Sequence, residues 1–224
     1  MRGTARHQTV ALSWLIILHL VRGIFGHGML VDPVNRSSMW RKGYSTPINY
    51  NDNENFCGGY AKQWSENSGQ CGICGDDYAL KQPRPNENTG TYGNGIIVAT
   101  YEQGSWVNLT VMITANHRGY FNFNICPLED GPEVIETEDC FEMYPLILDE
   151  GSYDYTLANS AIGSYTATVK LPDSLVCEHC VLRWHWRAGN NWGLCTTDDG
   201  FGQTGSLGCG PQETFRTCSD ISIL

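Results

Sequence analysis

The sequence predicts an all-β fold, an antiparallel β-sandwich of immunoglobulin or fibronectin type with long disulfide-pinned loops. Three observations predict it. Apolar residues recur at every second position in several short runs. Gly, Pro and Asn cluster between those runs, where turns need them. All ten cysteines fall from Cys57 onward, an even number able to form up to five bridges.

The strands are read in chain order. In Trp106 to Ile113, the residues Val107, Leu109, Val111 and Ile113 share one face, and Asn108 and Thr110 point the other way. Phe121, Phe123 and Ile125 alternate with Asn122 and Asn124. Tyr165, Ala167, Val169 and Leu171 form a third stripe. Leu182, Trp184 and Trp186 form a fourth, set against Arg183, His185 and Arg187. This pattern describes antiparallel sheets with one buried face. Several such runs without helical periodicity or internal repeats point to a sandwich. The stretch from Trp40 to Thr91 is rich in Gly, Asn, Pro and Tyr and has little period. It reads as long irregular structure, with a short helix near Tyr60 to Trp64, held by its three cysteines.

Arg2 and Arg6 precede the apolar run ALSWLIILHL, too short to span a bilayer. Residues 1–26 are expected to be a secretory signal peptide and 27–224 a single β-sandwich domain, secreted and extracellular. Ile24 is larger than the small residue usual at that place in a cleavage site, so cutting after Gly23 competes with cutting after Gly26. Removal of 1–26 takes away Arg2, Arg6 and Arg22 and no acidic residue, lowering the formal charge from −10 by three to −13. Such a charge excludes a nucleic-acid partner and opposes an anionic membrane surface. It suits a neutral polymer. Export also favours disulfides over zinc at the pairs Cys71/Cys74 and Cys177/Cys180, which stand about a hundred residues apart, far from zinc-site spacing. Asn35 and Asn108 begin glycosylation sequons, Asn108 on the polar face of its strand.

Four histidines follow the signal: His27, His117, His179 and His185. Cleavage before His27 would give one residue two metal-binding nitrogens, the α-amine and Nδ1. A second histidine would add Nε2 and complete a T-shaped nitrogen set, which suits copper. His117 follows a strand, where a lone histidine is ordinarily a surface or hydrogen-bonded residue. His179 and His185 read as structural. Spacing alone leaves the metal reading open.

From His27 onward the chain resembles the lytic polysaccharide monooxygenases of auxiliary-activity family fifteen, of animal type. HGMLVDPVNRSSMWRKGY resembles that family's start, and CGGYAKQW with CGICGD its cysteine-rich insertion. TANHRGYF resembles the segment with its second copper histidine, and LRWHWRAGNNWG and GCGPQETFRTCSDI its last two strands. The resemblance implies a mature terminus at His27 and a copper site of His27 and His117. It places Phe215 at the axial position, without an oxygen ligand, and Ala115 as a small residue limiting access. Glu213, two before Phe215, is the candidate for positioning oxygen species. The implied activity is copper-dependent oxidative cleavage of an insoluble β-1,4-linked polysaccharide, with chitin ahead of cellulose. It requires an external electron donor and hydrogen peroxide or oxygen. A monomer is expected, with Tyr44, Tyr50, Tyr60 and Trp64 as candidates to extend a flat substrate face. The alternatives are a non-catalytic chitin- or cuticle-binding module and a copper-carrying protein of the same fold. No motif marks the paired carboxylates of a hydrolase.

Overall fold

The computed structural model describes residues 26–128, 131, 133–197, 200 and 202–224. All of the expected signal peptide except Gly26 therefore lies outside the described residues, among which no helix is long and apolar enough to cross a membrane.

The strands run β1 (His27–Asp32), β2 (Ala99–Tyr101), β3 (Trp106–Ala115), β4 (Tyr120–Pro127), β5 (Ile147–Leu148), β6 (Tyr155–Thr156), β7 (Gly163–Lys170), β8 (Cys177–Arg187), β9 (Trp192–Thr196), β10 (Gln203–Leu207) and β11 (Thr214–Ile223). They make a four-stranded sheet, β1-β3-β7-β5, and a five-stranded sheet, β2-β11-β8-β4-β6. A separate two-stranded hairpin pairs β9 with β10. The expected β-sandwich is therefore present. All pairings are antiparallel except that of β2 with β11, which is parallel. Among the described residues the α-helix α1 (Glu138–Met143) is capped by the Thr137 side chain accepting from Cys140 N.

The period-two stripes form the interior. Leu109, Val111 and Ile113 from one sheet meet Phe121, Phe123, Trp184, Trp186 and Phe215 from the other, all essentially inaccessible. The aromatics interlock: Phe121 stacks on Tyr155 at 4.6 Å and Trp186 on Phe215 at 4.7 Å between ring centroids. Such offset pairs add to area burial by about 0.5–1.5 kcal/mol each.

The expectation of one buried face per sheet is corrected for the five-stranded sheet. Its outer face is covered as well, because the loop layer and α1 pack on it. There Arg183 and Arg216 both reach the Glu138 carboxylate. Arg36, in a 3-10 turn at Arg36–Lys42, is fully buried. It donates twice to Asp220 of β11, at 2.9 and 2.6 Å, and once to Glu136, at 2.5 Å. Burial alone would raise the Asp220 carboxyl. The Arg36 guanidinium, with a further hydrogen bond from His179, reverses this and holds it at about 2. Nearby, Cys74 is bonded to Cys218 of β11.

Five disulfides form: Cys57–Cys71, Cys74–Cys218, Cys126–Cys140, Cys177–Cys180 and Cys195–Cys209. Both Cys-X-X-Cys pairs are thereby oxidised, as export predicted. The short helix expected near Tyr60 is a helical turn continuing through Lys62–Glu66. His179 and His185 take structural positions. Of the two sequon asparagines, Asn108 is exposed, whereas Asn35 is buried and donates to Leu30 O at 2.6 Å and Ser38 Oγ at 2.8 Å. In the folded state Asn35 is closed to a glycan.

Two outcomes follow from the buried charges. Arg36→Met should cost about 3–5 kcal/mol in urea unfolding with disulfides intact, because Glu136 and Asp220 would remain buried without their partner. His185 is held uncharged, first by burial and then by Arg216, Arg183 and Arg187, so its pKa lies well below 6.5. The unfolded histidine takes a proton near pH 6.5 that the folded one refuses, so this stabilisation is complete above that pH and falls as pH drops. Asp76 acts in the opposite sense. Burial raises it to about 6, and it loses stabilisation as pH rises from about 4 to 6. The difference between the Tm–pH profiles of wild type and His185→Gln cancels Asp76. That difference should be flat above about pH 6.5 and fall from there to pH 5.

Candidate metal centre

The site forms where β1 begins and β3 ends. His27 stands opposite Ala115, and Gly28 stands opposite Ile113, so Thr114 is an extra residue in a β-bulge beside His27. Bulges re-aim the side chains next to them. The Thr114 hydroxyl lies 3.1 Å from Asn53 Nδ2, and Gly28 N donates to Asn53 O at 3.1 Å. The loop layer thus grips the first residues of β1 from one side while β3 holds them from the other.

Two residues beyond Ala115, the chain reaches His117 in the tight connection to β4. Asn116 Oδ1 accepts from Arg118 N at 2.7 Å, an Asx turn. Arg118 and Gly119 both have positive φ, 57° and 81°. Arg118 O accepts from the Trp186 indole at 2.8 Å, and His117 O accepts from Gly189 N at 2.9 Å. These contacts fix the backbone that carries the His117 ring, which is buried.

Gly26 shows how closely the two histidines approach. A Cβ placed on it would stand 3.1 Å from His117 Nδ1 and 3.0 Å from Phe215 Cζ. The residue immediately before the His27 nitrogen therefore lies against both the second histidine and the predicted axial phenylalanine. Phe215 itself is fully buried, stacked on Trp186 and 6.1 Å from the Phe56 ring.

Each histidine has a carboxylate. His27 Nε2 lies 3.1 Å from Glu54 Oε1. That partner assigns the proton to Nε2 and leaves the Nδ1 lone pair for a metal. His117 Nδ1 lies 2.5 Å from Glu213 Oε2 and 3.0 Å from Asn190 Nδ2. The nitrogen turned toward Gly26 is thus Nδ1, where the sequence reading expected Nε2. Glu213 is buried, and it immediately precedes β11, so it approaches the site from the loop before the strand that carries Phe215.

The sequence-predicted residues His27, Ala115, His117, Glu213 and Phe215 are therefore brought together. Glu54 and Asn190 were not foreseen. Both sit in aperiodic loop sequence, and neither type nor spacing distinguishes them from neighbouring Asn and Glu residues. The insertion aromatics scatter. Tyr50 is 77% exposed and meets Trp40 edge-on, while Trp64 donates to Gln212 O at 2.8 Å. Tyr44 lines a hollow with Asp32 and Val98, at the end of β1 remote from His27.

The donor set fits copper. Imidazole nitrogens suit it, and no thiolate is present, since all cysteines are in disulfides. The cluster Cys74, Glu136 and Cys218 elsewhere offers no thiolate either, because its sulfurs are bonded to each other.

A sandwich with two histidines converging at one end defines a class of metal-dependent oxidoreductase. The family follows directly: the model described as lytic polysaccharide mono-oxygenase, cellulose-degrading, matches residues 27–221, and the chain belongs to that family. It is similar to the solved structure of the auxiliary-activity family fifteen lytic polysaccharide monooxygenase from Thermobia domestica in the Cu(I) state. The two share 48% identity over 88% of this chain and 98% of that one, with a TM-score of 0.82. A cellulose-active lytic polysaccharide monooxygenase, CelS2, in complex with copper, covers the same shares at 14% identity and a TM-score of 0.48. Comparison with curated proteins gave no match. The protein is a copper monooxygenase that cleaves polysaccharide oxidatively.

The turn at His117 should not tolerate a side chain at Gly119. A Cβ there would lie 2.0 Å from Arg187 O, in a left-handed backbone. Gly119→Ala should cost about 2–4 kcal/mol. It should also weaken copper binding, since His117 moves with the turn. Thermal unfolding and isothermal titration with Cu(II) measure the two effects.

Proposed function

We propose that the mature enzyme begins at His27 and holds copper through the His27 α-amine, His27 Nδ1 and one ring nitrogen of His117. The single observation that carries this reading is the close approach of Gly26 to His117 and Phe215. Removal of Gly26 frees the amine beside the second histidine. The start of the family match at His27 supports the same cut. Release also empties the space that Gly26 fills, so the His117 ring can turn Nε2 toward it by rotation about its Cβ–Cγ bond.

Copper, when bound, supplies the redox chemistry that activates hydrogen peroxide or oxygen against a C–H bond beside the glycosidic linkage. The chain's own residues set the geometry. Glu54 fixes the tautomer and tilt of His27. Glu213, 2.5 Å from the His117 ring, stands where it can position an oxygen species. Phe215, against the Gly26 position, would offer a bound metal carbon instead of oxygen. Ala115, opposite His27, keeps that edge of the site small.

Residues 27–224 form one secreted catalytic domain that works as a monomer. Chitin is the favoured polymer, in keeping with the animal-type relative, and cellulose is the alternative, which the family description names. Mass spectrometry of soluble products from β-chitin and swollen cellulose, with copper and ascorbate, decides between them. Oxidised chito-oligosaccharides alone support chitin, and oxidised cello-oligosaccharides alone overturn it.

Retention of Gly26 should weaken copper binding by several orders of magnitude, because an amide nitrogen has no basic lone pair. Calorimetry on proteins beginning at Gly26 and at His27 checks this, and equal affinities would sink the amine as a ligand. His117→Ala should abolish oxidised products while leaving the disulfide-stapled fold intact by circular dichroism.

A further inference from the structure

The sequon that begins at Asn108 lies on β3 with its side chains turned out of the sandwich. Trp106, Asn108 and Thr110 alternate with the buried Val107, Leu109 and Val111, so they share the outer face of the four-stranded sheet. Asn108 is exposed, and so is Trp106, at 52%. Along a strand, residues two apart stand about 6.6 Å from one another. The indole is therefore the next side chain along the face from the Asn108 amide. Lys170, opposite Trp106, is already engaged. Its Nζ lies 6.0 Å from the ring centroid, donates to Gly104 O and stands 3.0 Å from Asp173 Oδ1.

The surface beside the amide is polar and uncharged. Thr168 stands opposite Asn108, and Thr166 opposite Thr110. The Thr168 hydroxyl donates to Asn108 Oδ1 at 2.9 Å, which holds the carbonyl side of the amide, and no group among the described residues accepts from Nδ2. The Thr110 and Thr166 hydroxyls lie 3.3 Å apart. On the Asn108 side, then, the face offers one apolar plate bordered by hydroxyls. A pyranose presents the matching surfaces, C–H faces for the indole and OH groups for the threonines.

We propose that Asn108 carries an N-linked oligosaccharide whose first sugar rests on the Trp106 indole. The inference rests on the secretion reading above and adds a modification to it. The co-substrate is a lipid-diphosphate-linked oligosaccharide. A bond forms between Asn108 Nδ2 and C1 of its first N-acetylglucosamine as the C1–O bond to the lipid diphosphate breaks. The diphosphate leaves with the bonding pair, Nδ2 gives up one of its two protons to a base, and nothing is oxidised or reduced. Oδ1 is untouched, so the bond from Thr168 survives. Asn35 opens the other sequon, but its side chain is buried and engaged, which leaves no room for a sugar in the fold. With a rise of about 3.3 Å per residue, β3 carries Asn108 about 23 Å from Ala115, the residue opposite His27. The glycan thus covers the far part of the sheet and leaves the metal centre open.

The test expresses the full chain in secreting animal cells, collects it from the medium and maps its peptides by mass spectrometry. Asn108 should carry N-acetylhexosamine and hexose mass, Asn35 should carry none, and Thr110→Ala should remove the modification. The same mature chain exported to a bacterial periplasm forms disulfides without this glycan and supplies the unmodified form. Attachment should raise Tm by about 2–4 °C in wild type, and by much less in Trp106→Ala. Trp106→Thr, suited to an exposed strand position, replaces that variant if it fails to fold. Copper affinity should be equal with and without the glycan, and a difference overturns its placement away from the metal centre. Secreted protein with Asn108 bare overturns the proposal and leaves the secretion reading standing. A glycan on Asn108 of chain retained in the cell upholds the modification and sinks that reading, whereas retained and unmodified chain sinks both. A Tm gain equal in wild type and Trp106→Ala overturns the seat on the indole.

Discussion

The site depends on the register between β1 and β3. His27 is the first residue of its strand and Ala115 the last of its partner, and they stand opposite each other. The extra residue Thr114 bends β3 at that point, and the chain then needs only two further residues to present His117. A slip of one residue would exchange the faces of β1. It would turn Leu30 out of the core and carry His27 away from His117. Leu30 is fully buried, and Val111 opposite it is too, so the hydrophobic interior specifies the register. Core packing and the placement of the two histidines are one constraint in this chain.

The loop layer transmits the same constraint from the other side. Arg36 locks it to Asp220, Cys74 to Cys218, and Arg216 N donates to Asn55 O at 3.0 Å. Asn55 is next to Glu54 in sequence. The carboxylate that meets His27 therefore stands on a segment tied to β11, the strand that also carries Phe215. A buried ion pair adds little stability by itself once desolvation is counted. Its value here is positional, because a bidentate guanidinium fixes the layer in one place over the sheet.

Much of the fold was legible because period-two patterning reports burial directly. The stripes from Val107, Phe121, Tyr165 and Leu182 all fell on strands, each extended at one end or both in the structure or shifted by a residue. β11 has no such stripe, since both its faces are buried, and only family resemblance pointed to it. Arg183 read as a solvent residue because a sequence pattern cannot know that α1 and Glu138 will cover that face. In the site, His27 was legible through the chemistry of a cleaved terminus, and Ala115, His117, Glu213 and Phe215 through resemblance. Glu54 and Asn190 were not, because a loop residue acquires its role only from where the chain happens to lay it. The hairpin was hidden for a similar reason: Trp192 and Leu194 alternate over too few residues to stand out.

Two carboxylates near one site would suggest general acid–base hydrolysis if they faced a common sugar-sized gap. Here each is engaged by a different histidine. Glu54 meets the outward nitrogen of His27, and Glu213 meets His117. A carboxylate that accepts from an imidazole N–H makes the ring's other nitrogen a better donor, because it offsets the positive charge that metal binding draws onto the ring. Both carboxylates are thus engaged by imidazole rings, which is not the arrangement of an acid–base pair across a glycosidic bond. The carbon-only side chain of Phe215 completes the argument. Lying against Gly26 beside His117, it would offer a bound metal no oxygen donor of its own, where a phenol at that place would.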